Sequence, residues 1–311
     1  MPKTVPVTPA PAKTSTTTTA SEPEWQVVTA TARGRSHIAH GLSNEDAVAH
    51  AALAGSDGIV VAVADGHGHE RHFRSKTGSA LAVRVACEAA DALLAELAAD
   101  PPPAAAADTW PFLIRDGLPP AIVRSWRDEV GRDIEANPYS ELELTSLEQE
   151  GDGPEIPYGA TLLVAVITGG WLISAQIGDG DLVAVHPDGE FSCPVPGDDR
   201  LDGLRTTSLC QPDPLDAFRT GARDLTAEPL AALLLATDGY GNAQASDPWQ
   251  PAWARDMAGL AAERGAGWFA KQLPVWAELC ASGEGSGDDT TIALLLGPAS
   301  ARNEEGGTWT G

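Results

Sequence analysis

The sequence is short of positive charge: of 311 residues, 20 are Lys or Arg and 44 are Asp or Glu, a formal balance of −24. A surface of that sign repels phosphate backbones and anionic lipid, which argues against nucleic-acid and membrane-surface partners. Long apolar runs are also missing. Leu162–Ile167 and Leu230–Ala236 are among the longest, far below the ~20 residues that span a bilayer. The stretch Met1–Glu24 holds Pro and Thr clusters and no apolar run of signal-peptide type, so residues 1–24 read as a disordered arm. Residues 25–297 then form the folded unit and 298–311 a flexible tail. Cysteine is sparse, and Cys87, Cys193, Cys210 and Cys280 have no C-x-x-C spacing. They read as reduced, mostly buried thiols of a cytoplasmic protein, with Cys193–Cys210 as the alternative disulfide pair. No internal repeat and no EF-hand loop occurs, and the latter absence removes a plain Ca²⁺-binding protein.

What remains is globular in composition, 43% hydrophobic and 21% charged, and long enough for a sizeable core. Gln26–Thr31 reads as a strand. Ala47–Leu53 and Ile59–Ala64 flank the turn cluster Ala54–Gly58 as a hairpin. Helical stretches follow over about Arg74–Ala99, stopped by Asp100-Pro101-Pro102-Pro103, and Trp110–Glu135. Thr161–Thr168 and Trp171–Ile177 pair across Gly169-Gly170, Asp181–His186 begins another strand, and Leu230–Ala236 and Thr290–Leu296 are two more. Residues 250–262 and 267–281 read as helices. Trp249/Trp253 and Trp268/Trp276 stand at spacings of four and eight on them, which predicts core packing rather than a partner surface. Glu141–Glu155 reads as an acidic, exposed loop, and Phe191–Leu225 as a long surface flap with little periodicity. Hairpins with helices bunched between them predict layered α+β with antiparallel sheets.

The acidic residues fall at strand ends. Hairpin partners sum to a constant, so Asp46 and Asp65 become neighbours at the open end of the first hairpin, and Asp179 lies at the open end of the second. Asp238 ends a buried strand, and Asp288 and Asp289 precede the last one. If that strand runs antiparallel to the one before Asp238, all of these carboxylates meet at one edge. Pairs at ~4 Å repel by several kcal/mol at an effective dielectric near 20, so protons or cations must intervene. Oxygen donors without a Cys/His cluster point to Mg²⁺ or Mn²⁺, with Ca²⁺ as the alternative. Each Asp-Gly taken alone is also an ordinary turn.

In order along the chain stand Ser43-Asn44-Glu45-Asp46, Ala64-Asp65-Gly66-His67-Gly68, Tyr158-Gly159-Ala160-Thr161, Ile177-Gly178-Asp179, Ala236-Thr237-Asp238-Gly239 and Gly287-Asp288-Asp289-Thr290-Thr291. Over about Gln26–Leu296 this series resembles the PP2C/PPM metal-dependent Ser/Thr protein phosphatases, in a divergent bacterial branch. The resemblance implies a four-layer α-β-β-α sandwich with two antiparallel β-sheets. It implies hydrolysis of protein phosphoserine and phosphothreonine by a water activated at a binuclear Mn²⁺ or Mg²⁺ site. Asp65 would bridge two ions, the Gly66 carbonyl would bind one, and Asp238 and Asp288 the other. Glu45 and Asp46 would ligate directly or through water, Asp179 would serve a third, weaker ion, and His67 would be the general acid for the leaving oxygen. The implied partner is a phosphorylated substrate of a Ser/Thr kinase, met by a monomer.

The pattern departs from the family in two places. Gly41 stands where many members carry a phosphate-binding arginine; Arg33, Arg35, Arg71, Arg74, His37 and His40 are the candidates to replace it. Gly180 and Asp181 replace a frequent Ser and Arg. The missing arginine keeps a second reading open, a non-catalytic phosphatase-like binding or sensor module that retains the metals.

Overall fold

The computed structural model describes residues 25–150, 152–201, 206–246 and 248–298. The arm 1–24 and the tail beyond residue 298 lie outside them. In chain order the elements are β1 (Gln26–Ala32), α1 (Arg35–His40), β2 (Ala47–Ala52), β3 (Ile59–Ala64), α2 (Ser75–Ala99), α3 (Trp110–Ala136) and α4 (Glu141–Glu150). Then come β4 (Leu162–Thr168), β5 (Trp171–Ile177), β6 (Asp181–Val185), β7 (Phe191–Ser192), β8 (Arg219–Asp224), β9 (Ala232–Ala236), α5 (Asp238–Gly241), α6 (Gln250–Glu263), α7 (Ala266–Cys280) and β10 (Thr290–Leu296).

Among the described residues these strands make two five-stranded sheets, ordered β1-β10-β9-β6-β7 and β2-β3-β4-β5-β8, with every pairing antiparallel. The alternation along β3 shows how they stack. Val61 and Val63 point between the sheets and join Leu233, Leu235 and Leu295, whereas Val60, Ala62 and Ala64 point outward against α2 and α3. The opposite face of the other sheet packs Val183, Leu234 and Leu294 on α6 and α7. This is the expected α-β-β-α sandwich, and each large apolar side chain it buries contributes roughly 1.5–3 kcal/mol. Trp249 and Trp253, and Trp268 and Trp276, meet edge-to-face with ring centroids 5.7 and 6.1 Å apart. They pack on that outer cluster, as their spacing predicts.

Two segments differ from expectation, and a third, 35–40, carries an element that the sequence reading did not assign. The acidic stretch is not a loop throughout, because 141–150 form α4. Its start is capped reciprocally: the Ser140 amide and hydroxyl donate to Glu143 Oε2 at 2.7 and 2.8 Å, and the Glu143 amide donates to Ser140 Oγ at 3.3 Å. The flap is shorter than Phe191–Leu225, because Arg219–Asp224 pairs with Trp171–Gln176 as an edge strand. Its sequence, RTGARD, is polar because an edge needs no apolar alternation. Residues 35–40 form the helix α1, ended by Gly41 at φ 72°. The four cysteines are free; Cys193 is exposed, Cys280 half-buried and Cys87 and Cys210 buried, so the alternative disulfide does not form. Among the described residues, no helix is long and apolar enough to cross a membrane.

Candidate active site

One end of the sandwich collects the ends of β3, β5 and β9 and the starts of β2, β4 and β10. The registers behind this are those of the sequence: Ala47 pairs with Ala64, which sets Asp46 beside Asp65, and Leu162 pairs with Ile177. Ile292 pairs with Ala236, so β10 does run antiparallel to β9 and brings Asp288 to Asp238. Between these ends opens a cavity of about 1100 Å³ whose wall includes Asp65, Gly66, His67, Asp179, Asp238 and Asp288. Glu45 and Asp46 are not on that wall; they stand behind it.

Threonines fix this rim. The Thr161 hydroxyl accepts from the Asp65 amide at 3.1 Å, and the Thr161 amide donates to the Asp65 carbonyl at 2.9 Å. Thr237 Oγ1 donates to Asp46 Oδ2 at 2.8 Å and accepts from the Thr291 amide at 2.9 Å. Thr206 Oγ1 donates to Asp179 Oδ1 at 2.7 Å. Burial, joined by repulsion from Asp46, Asp238 and Asp288, holds the Asp65 carboxyl well above the usual range. Asp46 is raised by burial and by Asp289 and Asp238, Glu45 chiefly by burial, and Asp238 by burial and Asp179. Repulsion from Asp238 is one cause of the raised Asp65 value, and a proton kept by Asp65 relieves it.

Two buried oxygens, Asp46 Oδ1 and Glu45 Oε2, have no hydrogen-bond partner. Among the described residues no three His, Cys, Asp or Glu side chains close around one ion position. The donor chemistry nevertheless fits a hard divalent cation: all the donors are oxygens, their mutual repulsion is unrelieved except by protons, and two lone pairs are left unused.

His67 lies on the cavity wall, its ring centroid 4.9 Å from that of His72. His72 Nδ1 donates to the Ile156 carbonyl at 2.5 Å. Gly159 makes the approach of the two rings possible, because a Cβ there would stand 2.5 Å from His72 Nδ1 and 2.6 Å from His67 Cδ2. Burial, with a smaller contribution from His72, pushes His67 down to about 4.

Two neighbours of the site have no assigned role in the sequence reading, although Asp289 was expected at the same edge. Asp289, 3% exposed, accepts from the Gly34 amide at 2.6 Å and the Glu45 amide at 2.7 Å, and its Oδ2 lies 2.7 Å from His37 Nδ1. It ties α1 and the first acidic motif to the start of β10. The doubled Asp288-Asp289 was the available signal. Asp181, at the start of β6, is raised to about 7 by burial and by Asp238 and Asp179. Such a group adds stability that is complete below its unfolded value near 4 and is lost as pH rises through about 7. Asp181→Asn in chelator-treated protein is therefore expected to raise stability on the order of 2 kcal/mol at pH 8, or ~5 °C in Tm, with little change at pH 4. Thermal melts at the two pH values check this; an equal shift at both would remove the titration as its cause.

The family model for protein phosphatase 2C matches residues 33–276, and the chain belongs to the protein phosphatase 2C family of protein-serine/threonine phosphatases. Solved structures agree in fold. A bacterial serine phosphatase superposes with TM-score 0.54 at 14% identity, over 88% of this chain and 98% of its own. Stp1, a serine/threonine phosphatase from Staphylococcus aureus, gives 0.53 at 14%, covering 87% and 94%. PppA, a key regulatory component of T6SS in Pseudomonas aeruginosa, gives 0.50 at 15%, covering 88% and 98%. No curated protein matches the chain by sequence.

Proposed function

We propose that this protein hydrolyses phosphoserine and phosphothreonine in proteins with the help of Mn²⁺ or Mg²⁺. The carrying observation is the meeting of Asp65, Asp179, Asp238, Asp288 and His67 on one cavity in a chain of this family. Asp65, the Gly66 carbonyl, Asp238 and Asp288 would hold two ions, Asp179 a third, and Glu45 and Asp46 would support them through the oxygens left free behind the wall. Bound there, the ions supply an acidified water and neutralise charge on the phosphoryl oxygens. The carboxylates' own part is to release to solvent the protons that their burial and repulsion retain, and to fix the ions from the threonine-braced strand ends. His67 donates the proton that the seryl or threonyl oxygen needs on leaving. Its partner His72 keeps its Nδ1–H on the Ile156 carbonyl.

The absence of an arginine at Gly41 favours a second reading, a phosphatase-like module that binds phosphorylated partners without turnover. Turnover of a phosphothreonine peptide and of p-nitrophenyl phosphate with Mn²⁺, and its loss on chelation, separates the two. A folded protein with no metal-dependent rate on either substrate would leave the binding module.

A further inference from the structure

Position 41 carries a glycine and no arginine. That residue ends α1 in the left-handed region, at φ 72°, where a side chain is strained. The other cations near the first motif are engaged elsewhere. Arg33 Nη1 donates to the Leu42 carbonyl at 3.3 Å, and Arg33 lines a separate cavity with Arg35. Arg74 stacks 4.3 Å over the Tyr139 ring and donates to the Tyr158 hydroxyl and the Asn137 carbonyl. His37 has Nδ1 2.7 Å from Asp289 and Nε2 4.0 Å from Asp288. His40 Nδ1 is bonded to Ser36 of its own helix at 2.8 Å.

Arg71 differs from all of these. It is the single Lys or Arg on the cavity wall among the described residues, and it follows His67 by one short turn. Its Nε donates to Asp152 Oδ2 at 3.2 Å and its Nη2 to Asp152 Oδ1. Asp152 is 8% exposed at its side chain and Arg71 41%, so a buried carboxylate holds one edge of a guanidinium whose other edge stays open. The fork leaves both Nη1 protons and one on Nη2 for a second bidentate acceptor.

We propose that Arg71, oriented by Asp152, is the guanidinium that binds the phosphoryl oxygens of the substrate in place of the arginine missing at Gly41. The assignment rests on the reading above that this cavity takes a phosphate monoester. It gives the acidic insertion a task. Asp152 comes from the segment after α4, which is anchored by buried Leu147 and by Tyr139 Oη donating to the Pro154 carbonyl at 2.7 Å. The insertion is thus a wall of the site that aims one side chain. Asp152 is a positioning residue; Arg71 touches substrate.

The test is titration calorimetry with inorganic phosphate in the presence of Mg²⁺, on the full chain and on Arg71→Ala, Arg71→Lys and Asp152→Asn. Arg71→Ala is expected to weaken phosphate ~30-fold, Arg71→Lys ~10-fold because a point charge replaces the fork, and Asp152→Asn ~5-fold. Phosphopeptide KM should rise in parallel with kcat changed less. Phosphate affinity within twofold of wild type in Arg71→Ala overturns the assignment, as does a wild type that binds no phosphate. Should Arg71→Ala not fold, the Lys variant decides by the same criterion. A wild type that binds phosphate through Arg71 but turns nothing over keeps this assignment and fails the enzyme; full turnover with Arg71→Ala unaffected does the reverse.

Discussion

Asp65→Asn is expected to cut metal-dependent kcat on both p-nitrophenyl phosphate and phosphothreonine peptide by about a thousandfold or more, the scale seen when a principal electrostatic contributor is removed. Asp65 ends β3 within reach of Asp46, Asp238 and Asp288, so it is the carboxylate best placed to serve two ions. The amide keeps its shape and removes its charge. In the metal-free protein that loss is favourable. Asp65 has its folded value raised above its unfolded one, so its carboxylate costs stability increasingly as pH rises past about 4. The variant should therefore melt higher than wild type at pH 8 with a chelator present. The rise in Tm that Mn²⁺ gives the wild type should shrink in the variant.

Asp238→Asn should behave alike, since burial and Asp179 raise it too. Lower activity with higher metal-free stability is the signature of charges gathered for a ligand; a structural carboxylate would lose both. An Asp65→Asn enzyme with the wild-type Mn²⁺-dependent rate would overturn the metal assignment.

The frame of the site was legible because hairpin register is arithmetic. Two turns fixed the partners of Asp46 and Thr161, whereas the meeting of Asp238 and Asp288 hung on an antiparallel pairing of β9 and β10 that the register supplies. What escaped was polar or local. β8 has no apolar alternation because it lies at an edge. α4 carries the Ser140/Glu143 capping signature, which its acidity masked. α1 spans six residues, too few for a periodic pattern to show. The Arg71–Asp152 fork joins positions 81 apart in sequence, across an insertion, and no spacing rule links them. Asp181 looked like a simple loss of a familiar arginine, whereas in the fold it adds a buried carboxylate beside Asp238.

His67→Ala is expected to slow phosphothreonine-peptide hydrolysis by ~10²–10³-fold and p-nitrophenyl phosphate by less than tenfold, on the scale of general-acid contributions. An alkoxide is a poor leaving group that must take a proton as the P–O bond breaks, while p-nitrophenolate leaves without one. In the free protein burial pushes His67 down to about 4, so the ring is neutral at pH 7 and must acquire its proton with the substrate. A dianionic monoester beside it favours the charged ring and opposes the burial effect. The descending limb of kcat, which reports the complex, should therefore lie at higher pH than that of kcat/KM, which reports the free protein. His67→Ala should remove the kcat limb for the phosphopeptide and leave the p-nitrophenyl phosphate profile unchanged. His72→Ala offers the complementary measurement. Its ring contributes to lowering His67, so its removal should move the kcat/KM limb of the phosphopeptide upward in pH. Equal losses on the two substrates in His67→Ala would remove His67 as the acid and leave the proton to solvent.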